Sequence, residues 1–144
     1  MSQIPIVIDS LVIETMIPKL QAHLICEDVA TNFDGKLCLL GVLDRIYADG
    51  FPSIGPAIFH ISIWDGPAGD YDARIEISKG GETIAEATGR VVLDGNRPYT
   101  LVSPLDGLIF PEPGNYQVRT ILEEKVMGVS LLKVISTAPE GEEG

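Results

Sequence analysis

Glycine and proline punctuate this chain from end to end, and that pattern limits what it can fold into. Fifteen Gly and ten Pro are distributed over 144 residues. In a helix interior Gly costs about 1 kcal/mol and Pro about 3 kcal/mol relative to Ala, so breaks this frequent exclude a long helix. No segment after residue 18 sustains a 3.6-residue apolar period. The runs between the breaks are short and rich in Val, Ile, Leu and Thr, which is the composition of strands joined by turns.

Strands are predicted at 20–27, 37–47, 57–64, 72–78, 83–93, 99–103, 108–110, 115–122 and 125–134. Asp34-Gly35 is the signal of a two-residue hairpin turn, Lys79-Gly80-Gly81-Glu82 closes another hairpin, and Glu123-Glu124 makes the last tight connection. Alternation divides 57–64 into two faces, with Ile58, His60, Ser62 and Trp64 on one and Phe59, Ile61 and Ile63 on the other. The second face is wholly apolar and is expected to meet the core. Many short strands with short connections predict an all-β fold, an antiparallel immunoglobulin-like β-sandwich of about eight strands. One domain is expected at 19–136, with an apolar N-terminal arm or extra strand at 1–18 and a disordered acidic tail at 137–144.

Late in the chain, Glu112-Pro113-Gly114-Asn115-Tyr116-Gln117-Val118 has the spacing of a tyrosine corner, in which the hydroxyl bonds back to upstream backbone. It also reads as a plain turn before a strand that carries a tyrosine. Either way Tyr116 is structural. This segment and Asp34-Gly35-Lys36-Leu37-Cys38-Leu39-Leu40-Gly41-Val42 resemble the signatures of a family of small uncharacterised bacterial immunoglobulin-like β-sandwich proteins. The resemblance spans about residues 20–134 and implies the same sandwich. The family has no established activity, so the resemblance implies no functional residue.

Charge removes two classes of partner. Ten Lys+Arg against twenty-one Asp+Glu leave a net charge of −11. A domain so acidic repels phosphate backbones and anionic lipid, so neither nucleic acid nor a membrane is expected as a partner. The N-terminus, MSQIPIVIDSLVIETMIPKL, lacks the basic start and unbroken apolar run of a signal peptide. No run reaches the ~18 residues of a membrane helix. A cytoplasmic protein with reduced thiols is expected.

The two cysteines, Cys26 and Cys38, are too few for a disulfide scaffold and form no C-x-x-C pair. Counting outward from a two-residue Asp34-Gly35 turn sets Cys26 opposite Leu43 and the thiols on opposite faces, which bars a bond.

No catalytic set is legible. His23 and His60 stand alone on strands, without an H-x-H or H-E-x-x-H partner for zinc. There is no G-x-S-x-G elbow, phosphate-binding loop or G-x-G-x-x-G. No catalytic residue and no cofactor is assigned. If each strand crosses the sandwich once, loops 28–36, 65–71, 94–98 and 123–124 share one end. That end would hold Asp28, Asp34, Asp65, Asp70, Asp94, Glu123 and Glu124 against Lys36 and Arg97. Calcium draws its oxygens largely from loop carboxylates, and Asp65, Asp70 and Asp72 are the candidate ligands. The plainer account is that Asp forms turns and keeps loops wet.

The arm is apolar at Ile4, Ile6, Ile8, Leu11, Val12, Ile13, Met16 and Ile17. Such a segment must pack on its own sandwich or on a neighbour's edge, and a contribution to a homo-oligomer is expected. The functional expectation is a non-enzymatic binding or assembly module whose partner is another protein or itself. The alternative is a calcium- or small-ligand-binding sandwich that uses the acidic loops. An enzyme would have only Asp65, Asp70 and His60 as nearby polar candidates.

Overall fold

The computed structural model describes residues 17–138 and contains no helix among them. None of the described residues therefore forms a helix long and apolar enough to cross a membrane. The strands are β1 (Lys19–Thr31), β2 (Leu37–Leu43), β3 (Arg45–Ala48), β4 (Ser53–Ile54), β5 (Ile58–Asp65) and β6 (Gly69–Lys79). They continue with β7 (Glu82–Leu93), β8 (Tyr99–Leu105), β9 (Ile109–Phe110), β10 (Gly114–Leu122) and β11 (Lys125–Ser136).

One sheet has the order β2-β1-β5-β8 and a second the order β3-β11-β10-β6-β7, while β4 and β9 form a two-stranded piece. The larger sheet curls over the smaller, bringing β7 against β8 at one side and β11 against β1 at the other. All pairs are antiparallel except β3 with β11, which run parallel. That parallel pair corrects the expectation of a purely antiparallel fold.

It arises from a reversal that the sequence does not announce. The predicted strand 37–47 is two strands. β2 runs back along β1, the chain turns at Asp44, and β3 then runs the other way beside the end of β11. The first hairpin loop therefore lies at the opposite end of the molecule from the entry at Pro18. The turn at Gly66 packs on Pro18, Gly95 sits beside Ala68, and the Glu123 amide donates to the Asp72 carbonyl at 2.8 Å. Loops 66–68, 94–98 and 123–124 thus share the entry end as expected, and Asp28 and Asp34 are removed from it.

β1 changes partners along its length. Residues 19–26 pair with β5, while 25–31 pair with β2. Beyond Cys26 the β1–β2 hairpin consequently projects from the body at the far end. Its loop is five residues long, Asn32 to Lys36, because the Asn32 side chain accepts hydrogen bonds from the amides of Asp34 and Lys36, both at 2.9 Å. The extra residues shift the register by one, so Cys26 faces Val42 and Ala30 faces Cys38. The two thiols therefore share a face, contrary to the sequence count. They are four strand positions apart, about 13 Å at 3.3 Å per residue, and that separation bars a bond. Both are free thiols.

The core face of β5 is also the reverse of the one expected. Ile58, His60, Ser62 and Trp64 point between the sheets, where Ile58 and Trp64 join the main apolar clusters. Phe59, Ile61 and Ile63 face outward. Hydropathy alone selects the wrong face because β5 buries apolar residues on both sides, and its inward His60 and Ser62 each find one hydrogen-bond partner inside the fold.

At the far end Tyr116 is fully buried, and its hydroxyl donates to the Glu112 carbonyl at 2.6 Å. Its ring meets Phe110 edge-on, with centroids 5.1 Å apart. The bond of the tyrosine corner is therefore present. Tyr116→Phe keeps the ring and deletes the hydroxyl's short bond to the Glu112 carbonyl and its longer one from the Glu112 amide, both near solvent, so a loss of about 1 kcal/mol is expected in urea denaturation. No loss would make the hydroxyl incidental.

Candidate functional site

Among the described residues, most of the exposed large apolar side chains gather around the projecting hairpin. Phe33 at its tip is completely exposed, and Leu37, Leu40 and Val42 along β2 are exposed as well. Tyr47, Ile54 and Ile109 continue the cluster on β3, β4 and β9. β2 is an outer strand of its sheet and β3 an outer strand of the other, so two open edges lie near each other. At the base of the hairpin is a cleft of about 770 Å³, lined by Val42, Leu43, Ile46, Tyr47 and Ile54 together with the charged Glu27, Asp44 and Arg45. Glu27 lies across Gly41, where any side chain would collide with its carboxylate. Gly41 has φ +68°, a conformation that glycine adopts at low cost.

β2 reads Leu-Cys-Leu-Leu-Gly-Val-Leu, with no charge and no proline. Natural edge strands are usually guarded by lysine, proline or a bulge, because an unguarded edge offers a free row of amides and carbonyls to another strand. The sequence marked this segment as a strand but did not reveal its exposure, which follows from the turn at Asp44.

Of the carboxylates proposed for calcium, Asp65 is placed apart from Asp70 and Asp72. Alternation sets Asp65 on the outward face of β5, where its oxygens accept from the Gly66 amide at 2.9 Å and Gln21 at 3.4 Å. Asp70 and Asp72 stand on the outward face of β6 in the other sheet, both beside Arg90, which donates to Asp72 at 3.1 Å. Among the described residues no group of three or more His, Cys, Asp or Glu side chains gathers in a metal-binding arrangement. His60 faces the interior, away from all three outward-facing carboxylates.

His60 instead belongs to a polar layer dividing the core. Buried His60, Ser62, Ser103 and Thr120 lie between an apolar cluster around Ile58, Ile75 and Tyr116 and another around Trp64, Val91 and Leu93. His60 Nε2 and Thr120 Oγ1 are 3.1 Å apart and link the two sheets. The Trp64 indole donates to Ser62 at 2.9 Å. Nδ1 of His60 and Nδ1 of the neighbouring His23 have no protein partner. Burial, aided by the proximity of His23, lowers the His60 imidazole to about 4. A neutral, fully enclosed imidazole can join strands, but a substrate cannot reach it.

A family model described as a family of unknown function, DUF6941, matches residues 21–135. The chain belongs to this family. The matched span takes in the projecting hairpin, the polar layer and Tyr116, so these features lie within the family's own domain. No curated protein matches the chain.

Proposed function

We propose that this domain is a non-enzymatic assembly module that associates with a second copy of itself through the open edge of β2. The carrying observation is the uncharged, exposed edge strand Leu37–Leu43 beside the cleft at the base of the hairpin. Antiparallel pairing of β2 about a two-fold axis at Leu40 sets Leu37 opposite the second copy's Leu43. The same operation carries the exposed Phe33 tip toward the second copy's cleft. Because β2 carries no charge, its edge adds no local repulsion to the net −11 of each chain.

We read the architecture as immunoglobulin-like in the finer sense. β5 and β8 stand where such folds have strands B and E, and β6, β7, β10 and β11 stand as C, C′, F and G. Tyr116 stands at the start of F, where the tyrosine corner belongs. The His60–Thr120 bond joins B to F between the sheets, the same strands that antibody domains join with a disulfide.

Light scattering over a concentration series tests the assembly. The intact chain is expected to approach twice its 15.5 kDa mass. Leu40→Lys places a charge on the exposed edge, and it should return the single-chain mass with the circular dichroism spectrum of the folded chain retained. A single-chain mass throughout, or an undiminished dimer in the lysine variant, rules out pairing through β2.

A further inference from the structure

Phe33 stands at the tip of the projecting hairpin with its side chain wholly in solvent, yet the loop that carries it is tightly fixed. The Asn32 amide donates to the Lys36 carbonyl and the Gly35 amide donates to the Asn32 carbonyl, both at 2.9 Å. These add to the two bonds that the Asn32 side chain accepts from the amides of Asp34 and Lys36. An aromatic ring is thus presented on an ordered turn. Such preorganisation lowers the entropy lost on binding, and buried aromatic anchors carry much of the energy of protein interfaces.

The cleft at the base of the hairpin offers a matching set of groups. Leu43, Tyr47 and Ile54 supply apolar surface, while Glu27, Asp44 and Arg45 supply both signs of charge. The tip pairs its one aromatic ring with Asp34 and Lys36. It cannot reach the cleft of its own chain. Residues 27–31 lie between the two, about 17 Å at 3.3 Å per residue, and the ladder from Asp28–Leu40 to Thr31–Leu37 keeps the hairpin extended. A second copy can receive it. Under the two-fold axis at Leu40 the two hairpins run antiparallel side by side, and each tip arrives at the base of the other. One step beyond the pair of Leu37 with the second copy's Leu43, Lys36 falls opposite the second copy's exposed Asp44. Phe33 then lies level with the Asp44–Tyr47 wall of that cleft. The arm expected at 1–18 and the tail expected at 137–144 lie, but for residues 17, 18, 137 and 138, outside the described residues and contribute nothing to this contact.

We propose that the hairpin tip is the anchor of the assembly: Phe33 of each copy seats in the other's cleft beside Tyr47 and Ile54, and Lys36 pairs there with Asp44. The contact rests on the pairing of β2 proposed above. The strand edge sets the register, and the tip adds side-chain recognition that a bare row of amides and carbonyls lacks. The two-fold axis makes the contact twice, so each copy gives one tip and receives one.

The test uses the full chain with a benzophenone amino acid in place of Ile54, which lines the cleft and is 80% exposed. After irradiation, the double-mass material on a denaturing gel is expected to carry cross-links to residues 32–36. A chain that is dimeric by light scattering and split by Leu40→Lys, yet cross-links outside 32–36, keeps the β2 pairing and overturns the tip contact. A chain of single-chain mass overturns both. Phe33→Ala should raise the dissociation constant of the dimer by about tenfold or more. Its circular dichroism spectrum should be unchanged, because the exposed ring supports nothing in its own chain. Lys36→Asp should weaken the dimer several-fold, and adding Asp44→Lys should recover most of that loss by exchanging the charges. An undiminished dimer in Phe33→Ala, or a charge exchange that recovers nothing, overturns the proposal.

Discussion

Stability is expected to fall as the pH is lowered from 6.5 toward 4, and His60 is the reason. In the unfolded chain an imidazole takes up a proton near 6.5, whereas burial between the sheets lowers the folded value to about 4. Within that window the unfolded state binds the extra proton, so the folded state loses ground as the pH drops. The stabilisation is complete above 6.5 and is gone below about 4. The gap corresponds to about 3 kcal/mol, a large share of a small domain's net stability. Urea denaturation at pH 7, 5.5 and 4 measures the slope. His60→Gln removes the titrating group and should flatten it, although the variant starts less stable. The solvated carboxylates are common to both proteins, so the difference between their slopes isolates the histidine. Equal slopes would mean that His60 is protonated as readily in the fold as outside it.

The same residue shows how far sequence alone can reach. Gly and Pro located nearly every strand, because they act on the backbone locally and their effect does not depend on what packs where. Tyr116 was legible for a related reason: its partner Glu112 is four residues away. The features that failed depend on distant contacts. Asp44 marks a reversal with no Gly or Pro beside it, so 37–47 reads as one strand. β3 becomes a strand by lying beside β11, a partner nearly ninety residues later in the chain. The hairpin register depends on Asn32 lengthening the loop, which moved every assignment on β2 by one position and put both thiols on one face. On β5, hydropathy favoured Phe59, Ile61 and Ile63. His60 is admitted to the interior only because Thr120 arrives from another sheet to meet it. The candidate edge was hidden for the same reason, since β2 is exposed only because β3 leaves for the other sheet.

Thr120→Val is expected to cost about 2 kcal/mol or more, although it changes one hydroxyl to a methyl. Thr120 is completely buried and bonds only to His60. Whichever tautomer His60 adopts, one nitrogen carries a hydrogen and the other a lone pair. Nδ1 already has no protein partner, so the valine would leave both nitrogens unpaired in a low-dielectric interior. The converse change, His60→Leu, strands the threonine hydroxyl, a smaller polar group that can rotate toward a backbone carbonyl. It should therefore cost less than its loss of volume suggests. Combining the two removes both halves of the pair and joins the two apolar clusters across the gap. The double variant should recover most of the loss, with a coupling energy of roughly 1–3 kcal/mol in a thermodynamic cycle. Single losses that simply add would mean the bond contributes nothing to the fold. Recovery in the double variant would identify the polar layer as a device for fixing how the two sheets meet, retained at some expense of stability. That role is consistent with a domain whose exposed edges offer strands a choice of partners.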